Sequence, residues 1–104
     1  MSDMDIYSCI NNDAFNSVNS IEADIKNNTV VILKFDEENS RYNEFYDKIT
    51  DYKTVNITDS TIIEFYDIDV LPTIYVYKNK NLLGTIEGFH LKTTLLKKIT
   101  SLLE

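Results

Sequence analysis

Sulfur and imidazole chemistry each rest on a single side chain in this sequence, Cys9 and His90. A lone thiol can serve as a monothiol redox handle, a glutathionylation site or half of an intermolecular disulfide. Cys9 has no helix start and no adjacent basic residue to draw its pKa down. It therefore reads as a small hydrophobe on a strand, the ordinary place for a free cysteine. His90 lacks the His/Cys companions that a metal centre of three or four ligands requires, and no motif pairs it with a nucleophile such as Ser40. It is expected to be solvated. Carboxylates are more plentiful: Asp36, Glu37, Glu38, Glu44 and Asp47 cluster within one stretch. Such a cluster could dock a basic partner or hold a divalent cation weakly, but calcium-loop spacing is absent. The plainer reading is a solvated helix start whose negative charges suit the positive end of the helix dipole. No metal and no cofactor is expected.

The whole chain narrows the options further. Its 104 residues suffice for one domain spanning 1–104. Hydrophobic residues make up 43% and charged residues 26%, as in ordinary globular proteins. A net charge of −7 argues against nucleic acid and anionic membrane as partners, since both need clustered cations. No apolar run is long enough to span a bilayer, and the acidic start Met1-Ser2-Asp3-Met4-Asp5 is no secretory signal. One cysteine permits no internal disulfide, which fits a reducing compartment such as the cytoplasm. Abundant Asn, Ile, Lys and Tyr beside scarce Ala, Gly, Pro and Arg point to an AT-rich genome, of the kind found in certain bacteria, protists and large DNA viruses. From a viral source, the protein would suit a virion component.

The elements that must position these side chains follow from periodicity. Asp5–Ile10 reads as a short first strand, with Cys9 on one face. Asn11, Asn12 and Asp13 offer caps for a helix over Asp13–Lys26, where Ala14, Phe15, Val18, Ile21 and Ile25 recur at helical spacing. Thr29–Phe35 is β-branched and apolar almost throughout, the mark of a strand covered on both faces, and is expected at mid-sheet among parallel neighbours. Tyr42, Phe45, Tyr46 and Ile49 then repeat at i, i+3, i+4 and i+7, predicting a helix over Ser40–Thr50. Thr54–Ile57 reads as a second central strand. Asp59 or Ser60 caps a short helix carrying Ile62, Ile63, Phe65 and Tyr66. In the final helix Leu91, Leu95, Leu96, Ile99, Leu102 and Leu103 form one face, and Lys92, Lys97 and Lys98 the other. The order is β-α-β-α-β-α-β-β-α, with right-handed crossovers between the early strands.

Between the last two helices lies Val70-Leu71-Pro72-Thr73-Ile74-Tyr75-Val76-Tyr77-Lys78-Asn79-Lys80-Asn81-Leu82-Leu83-Gly84-Thr85-Ile86-Glu87-Gly88-Phe89, holding the only proline and both glycines. Two apolar runs around Lys-Asn-Lys-Asn read as a β-hairpin. Pro72 stands just before its first strand, where proline costs no ladder bond. This stretch, with the element order around it, resembles the thioredoxin family. The resemblance implies an α/β three-layer sandwich, a mixed central sheet with helices on both faces, and a cis Leu71–Pro72 bond.

In active thioredoxins a Cys-x-x-Cys opens the helix after the central strand, where the helix dipole and free N–H groups favour a thiolate. The matching positions here are Ser40-Arg41-Tyr42-Asn43. Both sulfurs are missing, and a serine hydroxyl is scarcely ionised near neutral pH. Asp36-Glu37-Glu38-Asn39 replace the apolar residues that usually precede the motif, and Lys34 replaces the buried acid. The resemblance thus implies a protein without dithiol–disulfide turnover. It also brings Tyr42, Leu71, Pro72 and Phe89 to the face where relatives pair with extended peptides. A redox-inactive binding or scaffolding module is the expected function, holding a protein, a peptide or a second copy of itself. The alternative is a Cys9-dependent monothiol or glutathione-linked oxidoreductase.

Overall fold

The computed structural model describes residues 12–38 and 52–104. The expected strand Asp5–Ile10 with Cys9, the expected helix Ser40–Thr50 with Ser40, Arg41, Tyr42 and Asn43, and the acidic Glu44 and Asp47 lie outside those residues.

Helix α1 spans Asn12–Asn27 and buries Val18, Ile21 and Ile25 along one stripe. Its C-terminal end is closed by Asn28, whose backbone N–H and side-chain amide both donate to Asp24 O, at 3.2 and 2.9 Å. Strand β1, Val30–Phe35, is buried from Val31 onward. Its side chains alternate between two cores. Val31, Leu33 and Phe35 pack with Val18, Ile21, Ile25, Ile57, Ile62 and Ile63, whereas Ile32 packs with Ile74, Val76, Ile86, Leu95 and Ile99. Full burial of each such side chain is worth about 2 kcal/mol. The strand is therefore the shared wall of both cores.

Strand β2, Lys53–Ile57, runs parallel to β1, and helix α2, Ser60–Phe65, follows it. Asp59 caps α2, accepting from Thr61 N–H at 2.8 Å. The helix ends in a Schellman arrangement, with Asp67 N–H donating to Glu64 O at 3.0 Å and Ile68 N–H to Ile63 O at 3.2 Å. Asp67 takes the left-handed position at φ 58°, a place that glycine usually fills. Strands β3, Thr73–Lys78, and β4, Asn81–Glu87, form an antiparallel hairpin. Its tip residues Asn79 and Lys80 both have positive φ, 53° and 72°, as the twist of a two-residue hairpin loop demands. One residue slips from register: Val76 faces Gly84 but Tyr77 faces Leu82, so Leu83 is left as a bulge. Helix α3, Lys92–Leu103, completes the described chain.

The sheet order is β2-β1-β3-β4, with α1 and α2 against one face and α3 against the other. This is a mixed α/β sandwich. Two details, the directions of the strands beside β1 and the burial in α3, differ from the sequence reading. The central strand has one parallel neighbour, β2, and one antiparallel neighbour, β3. Continuous apolarity reports cover on both faces and carries no information about strand direction. Within the described residues β2 pairs with β1. In α3 only Leu95 and Ile99 are fully buried; Leu96 stays exposed, and Leu91, preceding the helix, is 64% exposed.

Candidate functional site at the cis-proline end of the sheet

The C-terminal ends of β1, β2 and β4 and the start of β3 meet at one end of the sheet, because Phe35 lies opposite both Ile57 and Thr73, and Thr73 opposite Glu87. The Leu71–Pro72 peptide there is cis. Pro72 is buried and Leu71 half-buried. Gly88 N–H donates to Pro72 O at 2.8 Å, fixing the loop that carries Phe89 to the loop that carries the proline. Gly88 needs its residue type, since its φ is +82°. The Thr73 hydroxyl donates to Val70 O, closing the turn ahead of the strand. Leu71 N–H and C=O enter none of the described turn, loop or cap hydrogen bonds. Near this backbone Val70 and Phe89 are 39% and 42% exposed.

A second feature adjoins Val70. Asp67, Asp69, Val70, Thr73, Tyr75 and Glu87 are among the residues that line a recess of about 130 Å³. The Tyr75 hydroxyl reports their field: burial pushes its pKa up, and the charges of Asp67 and Glu87 push it further the same way. Sequence reading passed over this recess. No local sequence signal marks it, since Glu87 returns to the loop carrying Asp67 and Asp69 only through the pairing of Thr73 with Glu87.

Asp36 departs from the expected solvated cluster. It is 2% exposed; Glu37 N–H donates to its Oδ1 at 2.7 Å, while buried Oδ2 has no hydrogen-bond partner. Glu37 and Glu38 are exposed. Lys34, at the position where the resemblance implies a buried acid, is 3% exposed. It shares the side of β1 that Ile32 presents to α3, by alternation along the strand. His90 is half-buried rather than solvated, its Nε2 3.0 Å from Glu87 O. A carbonyl so placed suits a ring protonated at Nε2, which can donate to it.

A larger but shallow depression of about 710 Å³ lies between β4 and α3, lined in part by Glu87, His90, Lys97 and Lys98. It does not include Leu71 or Pro72. Among the described residues, no group of His, Cys, Asp and Glu is arranged to hold a metal ion, and no helix is long and apolar enough to cross a membrane.

No family model matches the sequence, and no curated protein matches it. Solved structures do. A mutant thioredoxin from Halobacterium salinarum superposes with a TM-score of 0.66 at 16% identity, over 81% of this chain and 83% of that one. Mitochondrial thioredoxin 3 from Saccharomyces cerevisiae gives 0.66 at 19% identity, covering 81% and 89%. Thioredoxin from Plasmodium falciparum gives 0.61 at 25% identity, covering 78% and 89%. The chain has a thioredoxin-like fold.

Proposed function

We propose that this protein is a redox-inactive thioredoxin-fold module that holds an extended segment of a partner protein beside Leu71–Pro72. The observation that carries the reading is the pairing of exposed Val70 and Phe89 with a Leu71 backbone that no described hydrogen bond engages. An extended chain laid there gains main-chain hydrogen bonds from Leu71 and apolar contact with neighbouring side chains, the general form of recognition by strand addition. Large apolar side chains left partly exposed at a loop cluster suit an interface better than they suit an isolated surface. A sequence with one cysteine cannot form an internal disulfide, so it cannot cycle between dithiol and disulfide within one molecule.

Two measurements test this together. Insulin-disulfide reduction should show no turnover by the wild type, and the Cys9→Ser variant should behave identically. Turnover that disappears in Cys9→Ser would establish the oxidoreductase alternative instead. In parallel, amide NMR shifts should move at Leu71 and Gly88 when an extended apolar peptide is titrated in. A Val70→Ser/Phe89→Ala double variant should abolish that response. Unchanged spectra at those amides would remove this face as the binding site.

A further inference from the structure

Resting on the peptide-binding reading above, we propose that Asp36 selects the segment bound beside Leu71–Pro72, its Oδ2 accepting a hydrogen bond from a hydroxyl on that segment. Asp36 is 2% exposed, yet Oδ2 has no hydrogen-bond partner among the described residues. A buried carboxylate oxygen left so costs the folded chain free energy, which an arriving donor recovers. Its Oδ1 is already engaged, since Glu37 N–H donates to it at 2.7 Å. That bond sets the carboxylate in orientation and leaves Oδ2 to accept from a ligand.

The sheet brings this residue level with the proline. Phe35, the last residue of β1, lies opposite Thr73, the first of β3. Asp36 follows the one and Pro72 precedes the other, so the two stand at one level on neighbouring chains. Hydrogen bonds extend the row on both sides: Asp36 N–H donates to Ile57 O at 3.0 Å, and Gly88 N–H to Pro72 O at 2.8 Å. Alternation adds the face. Asp36 falls on the side of β1 that carries Ile32, and Pro72 on the side of β3 that carries Ile74. Ile32 and Ile74 belong to one core, so Asp36 and Pro72 share that side of the sheet. The row is held before any ligand arrives, which lowers the ordering cost of binding.

The surroundings choose the donor. Lys34, 3% exposed, already brings a basic side chain to the same side of β1, two residues before Asp36. An ammonium or guanidinium entering there meets like charge, whereas a hydroxyl meets none. A hydroxyl is also small enough to reach a buried atom with little displacement, and its bond to a carboxylate is short and strong. Because Oδ2 is buried, seating the segment includes a local opening at Asp36, which the Glu37 amide reports through its own bond to that carboxylate.

The test uses a fluorescein-labelled extended apolar peptide in which each position in turn is valine, threonine or lysine. Binding to the full chain is followed by anisotropy, with amide NMR shifts at Leu71, Gly88 and Glu37 as a second readout. At one position threonine should bind about tenfold more tightly than valine, the size of one charge-assisted contact. Lysine there should gain nothing over valine, and the Glu37 amide should move with threonine alone. Asp36→Leu keeps the branched shape and removes the acceptor, so it should abolish the threonine preference and leave valine affinity unchanged. Asp36→Asn keeps an acceptor for Glu37 N–H without the charge; it should shrink the preference, and it carries the test if the leucine variant fails to fold. A threonine preference that these variants leave intact overturns the role of Asp36. So does a lysine preference at that position, or no preference at any position while Leu71 and Gly88 still respond. Leu71 and Gly88 amides silent towards every peptide overturn the peptide-binding reading as well.

Discussion

The Tyr66 hydroxyl donates to Glu22 Oε1 at 2.9 Å, joining α1 to the end of α2 across 44 residues of sequence. The ring itself packs on Phe35 at 5.4 Å and on Phe65 at 5.4 Å. Hydroxyl and ring thus make separable contributions. Tyr66→Phe should lose about 1 kcal/mol in urea denaturation. Tyr66→Ala should lose about 3 kcal/mol or more, because the core side of the ring goes too.

Alkaline pH reaches the same region. Burial pushes the Tyr66 phenol far above its usual range, with Glu22 adding to the effect, and Tyr77 and Tyr75 are pushed up by burial and by nearby charge. The unfolded chain releases these protons near pH 10, the folded chain only later. Stability is therefore level in this respect below about pH 10 and falls as pH rises beyond it. Circular dichroism against pH, paired with tyrosinate absorbance, should show unfolding and ionisation rising together. Tyrosine ionisation completed near pH 10 with the fold intact would contradict the assignment.

Leu33 and Leu95 are both fully buried but belong to different cores, on opposite faces of the sheet. Leu33→Ala and Leu95→Ala should each cost about 2–5 kcal/mol. Since they share no cluster, the double variant should equal the sum of the singles within about 0.5 kcal/mol. A coupling larger than that, from chemical denaturation or calorimetry, would show that the two cores act as one.

Asp59→Ala removes the acceptor for Thr61 N–H and should lower stability by about 1 kcal/mol. Asp59→Asn or Asp59→Ser should recover most of that loss. The comparison by thermal melting separates a cap from a mere surface charge, because serine retains the cap without the charge.

Two left-handed positions predict opposite signs. Gly88→Ala meets no atom within 4 Å, so its cost is the backbone alone, about 1–2 kcal/mol at a φ of +82°. Asp67→Gly relieves a non-glycine residue at φ 58° and should stabilise by about 0.5–1 kcal/mol. Reversed signs in denaturant midpoints would contradict the backbone geometry at either loop.

Much of this architecture was legible from local pattern. The Thr29–Phe35 run had to be a strand between two layers, and Val18, Ile21 and Ile25 had to face a core, because spacing alone dictates which side each presents. The Asn79–Lys80 turn followed from polar residues between two apolar runs. Strand direction did not follow, since burial on both faces is compatible with either orientation. Neither did the fate of Asp36, which reads as one more acid beside Glu37 and Glu38 until the end of β1 carries it inward. Leu96 shows the opposite limit: its place on an apolar helical stripe did not bury it, for α3 turns Leu95 and Ile99 into the core instead. The Leu71–Pro72 segment was visible through its single proline. The acidic recess was not, because Asp67 and Glu87 become neighbours only through the pairing of β3 with β4.

The register slip at Leu83 falls on the outermost described strand, where irregularity has a consequence for pairing. A straight outer strand with Leu82 and Leu83 in water would be a ready template on which another chain could extend the sheet without end. An extra residue in a strand generally bends it and adds twist, and here a neighbour aligned on Thr85–Glu87 would fall out of step before Asn81. One misaligned residue beside uncovered leucines is the kind of irregularity by which outer strands are made poor templates for edge-to-edge pairing.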